Sequence, residues 1–354
     1  MDLSFFNGKR VFLTGHTGFK GAWLSRILQN AGAIVTGYAL EPEEKSLFKI
    51  AHIDEGMTSV YGDVRDFEAM KAAFDKCDPE IVLHLAAQPI VRESYKRPVY
   101  TYETNVMGTV NLLECVRQAK HVISVLNVTT DKVYLNREEE TGDGYRENEP
   151  LDGFDPYANS KSCSELVTHS YIRSFFDGDE APAVSTARAG NVIGGGDFAV
   201  DRIIPDCVRA AEAGTPIIVR HPRSVRPYQH VLEPLFTYLM IVEAQAKDKS
   251  FAGCYNVGPD SCDCVETGKL VDLFVNAWGG GMTWENRDDG GPHEATYLRL
   301  CCDKVKETFG WKPTWHIDTA VEKIAEWEQC RLNGGDVRAC MDKQAAEFLG
   351  GYNQ

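Results

Sequence analysis

Three features predict a doubly wound parallel α/β sheet with a smaller C-terminal lobe. Short apolar runs recur along the chain and alternate with amphipathic helical stretches, the pattern of strands covered by helices on both faces. A glycine-rich turn, Gly15-His16-Thr17-Gly18-Phe19-Lys20-Gly21, separates the first run from the first helix. The 354 residues are enough for such a sheet with chain left over for a second lobe.

Taken in order, Arg10-Val11-Phe12-Leu13-Thr14 reads as a buried first strand. The helix after the glycine turn carries Trp23, Leu24, Ile27 and Leu28 on one face. Strand, glycine turn and helix in that order point to a dinucleotide site: glycines let the backbone approach a pyrophosphate, and the helix N-terminus supplies N–H groups and a favourable dipole. Residues 33–39 form a second strand. An acidic residue at its end would meet the adenosine ribose, but Ala39 stands there and Glu41 comes late, so this strand leaves NAD and NADP both open. Residues 60–64 end a third strand, where Asp63 could accept from adenine. Residues 81–87 are a fourth, apolar apart from His84, which reads as a satisfied interior histidine. A helical segment from Tyr100 to Arg117 carries Asn105. Residues 122–128 form a fifth strand that runs into Thr129-Thr130-Asp131-Lys132, and residues 183–188 form a sixth. Tyr255-Asn256-Val257-Gly258 reads as a further strand end. Ligands of such sheets sit beyond the carboxyl ends of the strands, so the glycine loop, Asp63, Ala86, Thr130, Asp131 and Lys132 share one rim.

Tyr157-Ala158-Asn159-Ser160-Lys161 opens the helix after Pro156. A spacing of four puts the Tyr157 phenol and the Lys161 ammonium on one face. A free phenol titrates near 10. A nearby cation stabilises the phenolate, so with an oxidised nicotinamide beside it Tyr157 could take a proton from an alcohol near neutral pH. The motif is short, and its force comes from falling on the rim that the strands define.

Composition excludes several classes. A net charge of −15 repels nucleic-acid backbone, and no basic run with interleaved aromatics is present. The first residues lack the basic and apolar regions of a signal peptide and no stretch reaches bilayer-spanning length, so a cytoplasmic protein is expected. In that setting the eleven cysteines are expected to be reduced thiols. Neither Cys262-Asp263-Cys264 nor Cys301-Cys302 has the spacing of a zinc site, and no metal is expected.

Further stretches give these residues a family. Gly15-x-x-Gly18-x-x-Gly21, Thr129-Thr130-Asp131 and Tyr157-x-x-x-Lys161, with Ala86-Ala87-Gln88-Pro89, Thr104-Asn105-Val106-Met107-Gly108-Thr109, Arg188-Ala189-Gly190-Asn191-Val192 and Arg226-Pro227-Tyr228-Gln229-His230, resemble the extended short-chain dehydrogenase/reductases that act on nucleotide sugars. Within that family they are most similar to the 4,6-dehydratases of CDP-glucose, from about Phe6 to about Trp315. His16, Lys20 and the Asp131-Lys132 pair carry the finer likeness. The resemblance implies a Rossmann domain at 1–190 with a return segment near 227–245, and a substrate-binding lobe and tail at 191–226 and 246–354. It implies NAD as cofactor, held by Gly15, His16, Thr17, Gly18, Phe19, Lys20, Gly21, Asp63, Val64, Leu85, Ala86, Ala87, Gln88, Asn105, Tyr157 and Lys161. It implies a nucleotide-sugar substrate, CDP-glucose, contacted by Gln88, Asn191, Arg202, Arg220, Arg226, His293 and Tyr297, and a homodimer through the helices around Met107 and Leu166.

The implied chemistry begins with Tyr157, its acidity raised by Lys161, taking the O4 proton while Thr130 holds O4. Asp131 protonates the departing C6 hydroxyl. Lys132 is either the C5 base or an electrostatic clamp, with water or Tyr157 as the base instead. The plainer alternative for Thr130 and Asp131 is a cap on the strand end, and for Arg226 a surface ion pair. The chain departs from the resemblance where Glu139-Glu140-Thr141-Gly142-Asp143 replaces a tryptophan-bearing stretch, where Phe198 replaces a tryptophan, where Gly290 replaces an arginine and where Cys301 replaces an aspartate. The charged helical stretch from about Asp318 to Leu349 reads as a peripheral tail.

Overall fold

The computed structural model describes residues 1–138, 144–287, 290 and 297–352. Its centre is a seven-stranded sheet of β1 (Arg10–Thr14), β2 (Ile34–Ala39), β3 (Thr58–Tyr61), β4 (Ile81–His84), β5 (Ser124–Thr129), β6 (Ala183–Ala189) and β7 (Cys254–Val257), in the order β7-β6-β5-β4-β1-β2-β3. Every neighbouring pair is parallel. The chain winds outward from β1 through β2 to β3, then returns to β4 and winds the other way. The strand order therefore reverses between β1 and β4, which is where such sheets open a crevice.

Helices cover both faces. On the side of α1 (Phe19–Asn30), Trp23, Leu24 and Leu28 pack with Val11 and Leu13 of β1. On the opposite side α2 (Phe67–Cys77) and α3 (Gly108–Arg117) bring Phe74, Leu112 and Leu113 against Phe12 and Val82. Alternate residues of β1 thus face different cores, as the period of two in a strand requires. A third apolar cluster, including Ile204, Val208, Leu270 and Phe274, forms the smaller lobe.

Two boundaries differ from those expected. β4 stops at His84, and residues 85–88 leave the ladder: the Thr14 hydroxyl accepts from the Leu85 and Ala86 amides, both at 3.2 Å, and turns them across the sheet end. The expected helix over 100–117 is split by a wider π turn at Glu103–Met107, which opens the helix beside Asn105. Such turns mark places where regular hydrogen bonding yields to another contact.

Further along come α4 (Pro156–Phe175), α5 (Leu232–Lys247), α6 (Ile317–Leu332) and α7 (Val337–Tyr352). Asp155 caps α4 by accepting from the Ala158 amide at 2.9 Å, and Pro156 at the first helical position needs no partner for its nitrogen. The stretch expected to be a peripheral tail is part of the core. Trp327, Met341 and Phe348 are essentially fully buried, and Arg26 of α1 makes a forked ion pair with Asp342 at 2.6–2.7 Å. Most of the charged residues that suggested a solvated tail occupy the outer faces of these helices, while the inward positions are mainly apolar, with Glu328 and Gln344 buried among them.

Candidate active site

The crevice at the strand reversal continues into one cavity of about 910 Å³ between the sheet and the smaller lobe. Its wall includes Gly15, Thr17, Gly18, Phe19, Lys20 and Gly21 of the loop, Asp63 and Val64 after β3, and Leu85, Ala86 and Ala87 after β4. Thr130, Asp131, Lys132 and Tyr157 line it, as do Asn191, Arg202, Arg220 and Arg226. The rim expected from the sequence is therefore one surface. The cavity wall carries basic residues, Lys20, Arg92, Lys132, Arg202, Arg220 and Arg226 among them, interleaved with acids; Asp197 pairs with Arg202 and Asp201 with Arg220, each at 2.9 Å.

The glycine loop has the shape a dinucleotide requires. Gly15 has a φ of +78°, and a side chain there would stand 2.7 Å from the Ala86 nitrogen. A Cβ on Gly21 would lie 2.0 Å from the Gly15 carbonyl oxygen, so the first turn of α1 could not approach β1. Gly18 is different: its Cβ would meet only one atom, at 3.4 Å, and the residue begins α1 on the cavity wall. Two glycines permit close packing of protein on protein, and the third leaves the helix N-terminus open to a phosphate. Thr17 donates to the Leu40 carbonyl at 3.0 Å and ties the loop to the end of β2. These residues fit a nicotinamide dinucleotide.

Tyr157 is buried at the start of α4. Loss of water pushes its phenol up to about 12, Asp131 adds to the rise, and the Thr130 hydroxyl bonded to it works the other way. Lys161 donates to the Val128 carbonyl at 2.9 Å, and burial brings its ammonium down to about 8. In this pocket burial is the largest influence on the phenol. Asp131 is buried, accepts from the Thr130 hydroxyl at 2.9 Å and from Asn191 Nδ2 at 3.3 Å. Lys20 is half-buried on the cavity wall, and desolvation with the charges of Lys161 and Arg202 pushes it down to about 7, against the pull of Asp131 and Asp197.

Several expected contacts are turned elsewhere. His16 is wholly buried and is not on the cavity wall; its Nε2 meets the Ser59 hydroxyl at 2.5 Å, and its ring fills the space that Gly37 leaves by having no side chain. Burial brings that imidazole down to about 4. Gln88 also lies off the wall. Its amide donates to Thr101 at 2.9 Å and accepts from the Ile90 amide at 2.6 Å. Asn105 is spent on the protein too, accepting from the Gln88 amide at 2.8 Å and donating to the Ser160 hydroxyl at 2.8 Å. It joins the loop after β4 to α4 and so positions Tyr157 without facing the cavity.

Tyr297 is not on the wall either, and its carbonyl accepts from Asn136 at 3.1 Å. His293 and Glu139-Glu140-Thr141-Gly142-Asp143 lie outside the described residues. His84 is the interior histidine expected, between Thr14 at 2.7 Å and Thr109 at 3.2 Å.

The sequence model of the GDP-mannose 4,6 dehydratases matches residues 12–324. The chain belongs to the GDP-mannose 4,6-dehydratase family. It is 45% identical to the CDP-glucose 4,6-dehydratase of Salmonella typhimurium, over 99% of this chain and 98% of that one. Among solved structures, the dTDP-glucose 4,6-dehydratase of Bacillus anthracis in complex with NAD superposes with a TM-score of 0.76 at 22% identity, covering 92% of this chain and 98% of the other. The UDP-glucose 4-epimerase of Thermus thermophilus, also in complex with NAD, gives 0.76 at 22% identity over 90% and 98%.

Some residues that build this 4,6-dehydratase-family site were not assigned a role from the sequence. Asp197 is buried on the wall and holds Arg202 at 2.9 Å. Phe154 lines the cavity while 78% exposed. Gly190 has no side chain because the Asp131 carboxylate occupies that place. An aspartate five residues before an arginine is a weak signal, and nothing in the sequence foretells which glycine faces an acid.

Proposed function

We propose that this chain is an NAD-dependent nucleotide-sugar 4,6-dehydratase whose substrate is CDP-glucose. The observation that carries the reading is the meeting of Thr130, Asp131, Lys132 and Tyr157 on the wall of one arginine-rich cavity with the glycine loop, in a chain 45% identical over its whole length to a dehydratase of that specificity. When bound, the nicotinamide takes a hydride from sugar C4 and returns it to C6.

Tyr157 takes the O4 proton, and Thr130, bonded to that phenol, orients O4. Burial favours the neutral phenol, and a positive charge beside it would favour the phenolate. Asp131 then protonates the C6 hydroxyl as it leaves. It is placed for this between Thr130 and Asn191. Lys132, on the same wall, serves as the C5 base or clamps the developing charge. Arg202, Arg220 and Arg226 face the diphosphate, for which forked guanidinium donors are suited.

The chain works as a homodimer in this reading. Val99, Met107 and Leu166 are exposed apolar residues on or beside the π turn and α4, and Val99, Val106, Met107 and Cys163 line a shallow apolar groove there. No helix among the described residues is long and apolar enough to cross a membrane.

The test is to incubate the protein with CDP-glucose in deuterated water without added reductant. A 4-keto-6-deoxy product with deuterium at C5 supports the reading, and a C4 epimer overturns it. Parallel incubations with dTDP-, GDP- and UDP-glucose decide the nucleotide.

A further inference from the structure

Below the reacting residues lies a buried ionic cluster that the mechanism leaves unused. Glu165 stands one helical turn beyond Lys161 on α4 and is wholly enclosed. One carboxylate oxygen accepts from the Thr129 hydroxyl at 2.5 Å and from Arg188 Nε at 3.1 Å. The other accepts from the Thr186 hydroxyl at 2.7 Å and from Arg188 Nη2 at 3.0 Å. Arg188 is itself enclosed and donates to the Tyr134 hydroxyl at 2.8 Å and the Glu147 carbonyl at 3.0 Å.

The partners of Glu165 and Lys161 sit on consecutive residues of one strand. Lys161 donates to the Val128 carbonyl, and Thr129 donates to Glu165. The next residue along is Thr130, bonded to Tyr157. Carboxylate and ammonium are therefore both buried one helical turn apart on α4, where charges interact more strongly than at a surface.

We infer that Glu165 is a positioning residue for the reaction: it keeps the Lys161 ammonium charged and anchors Thr129 so that Thr130 faces the Tyr157 phenol. The inference rests on the dehydratase reading of the site. The other groups that face Lys161 all oppose its charge or are neutral: Lys20 from α1 is a cation, and His84 from β4 is held uncharged, pushed down to about 3 by burial. Glu165 is the anion that raises Lys161 against its own burial. The groups facing Glu165 are Arg188 from β6, His169 one turn further along α4 and Cys254 from β7. Arg188 fixes the carboxylate as an anion, so the cluster reads in sequence as guanidinium, carboxylate, ammonium.

The variant that removes the charge is Glu165→Gln, which keeps the shape and one accepting oxygen but puts an NH2 donor where the other oxygen accepts from a threonine hydroxyl and Arg188. Since it leaves Arg188 buried and unbalanced, Glu165→Gln with Arg188→Met serves as a second variant in which both charges go together. Two measurements are made on the full chain. The first follows reduction of bound NAD+ by CDP-glucose in a single turnover as a function of pH. The high-pH limb, where Lys161 loses its proton, is expected to move down by about one unit, so that the rate falls about tenfold well up that limb and about twofold at neutral pH.

The second measurement follows the ε-carbon of Lys161 by NMR titration, the signal being assigned by its loss in Lys161→Met. Its midpoint is expected to fall in both variants. A folded variant in which the Lys161 midpoint stays at the wild-type value overturns the inference, whatever the activity. Absence of NAD+ reduction in the wild-type protein, with a midpoint that does move, faults the reaction assigned to the site and leaves the role of Glu165 standing.

Discussion

Gly190 lies so close to Asp131 that a Cβ at the glycine would stand 1.8 Å from the carboxylate Oδ2. The carboxylate fills the space of the missing side chain, with Asn191 Nδ2 bonded to the same oxygen at 3.3 Å. Asp131 is thereby fixed from β6 although it belongs to the end of β5.

Gly190→Ala is therefore expected to displace the proposed C6 acid. Overpacking of this kind costs about 1–3 kcal/mol in stability. The rate of product formation is expected to fall by about 10²-fold or more, while the first hydride transfer, which does not need Asp131, survives. Single-turnover absorbance of the reduced cofactor checks this: loss of both steps equally would point to a general collapse of the site.

Tyr157→Phe removes the group assigned to O4 and adds no bulk. The expected loss in turnover is on the order of 10²–10⁴-fold, with no accumulation of reduced cofactor. Continued reduction at the wild-type rate would assign the proton transfer to another residue. Thermal unfolding should change little, because the ring stays in place.

Glu233 gives a dependence of stability on pH. It lies buried at the start of α5, where Oε1 accepts from the Thr314 amide at 2.8 Å and the Trp315 amide at 2.6 Å, and burial, with Asp263 adding, pushes its acid up to about 8. The two amides and His316 pull the other way. In the unfolded chain it titrates near 4.5. Between those values the folded state holds a proton that the unfolded state has released, so its contribution to stability is complete below about 4.5 and is lost progressively as pH rises to about 8. Glu233→Gln is expected to flatten that decline, so that the difference in Tm between variant and wild type grows with pH over this window. Parallel melting curves across the window decide it; a constant difference would refute the assignment.

The proposed dimer makes a simple demand on the surface around the π turn. Met107→Glu with Leu166→Glu places charges on two residues that are 49% and 53% exposed in the single chain. Little loss of fold stability is expected in the monomer. Sedimentation should show the wild type at twice the mass of the variant. Equal masses would mean that the subunits meet elsewhere or not at all.

Strands, helix order and the shared rim were legible in the sequence because they depend on periodicity and on a turn of fixed geometry. Tyr157, Thr130 and Asp131 could be placed for the same reason: each sits at the end of a strand or the start of a helix, where topology alone brings them together. The direction of a side chain within that frame was not legible. His16 belongs to the glycine motif yet turns away from the cavity, because Gly37, on the next strand, leaves room for its ring. Gln88 and Asn105 are polar and border the site, but they find partners in Thr101, Ile90 and Ser160. Such choices depend on pairs far apart in the chain, as does the energy of a desolvated phenol, which no local spacing reveals.

The Gly195 backbone lies against Trp327 of α6, where a Cβ would stand 2.4 Å from the indole, and its carbonyl accepts from Trp23 of α1 at 3.0 Å. The adjoining Gly196 amide donates to Glu328 at 3.0 Å, and residues 196–199 and 201–206 line the cavity. One wall of the cavity is thus anchored to α1 and α6 together, so a substitution that loosens either helix, however remote in sequence, reaches the cavity through Gly195 and Gly196.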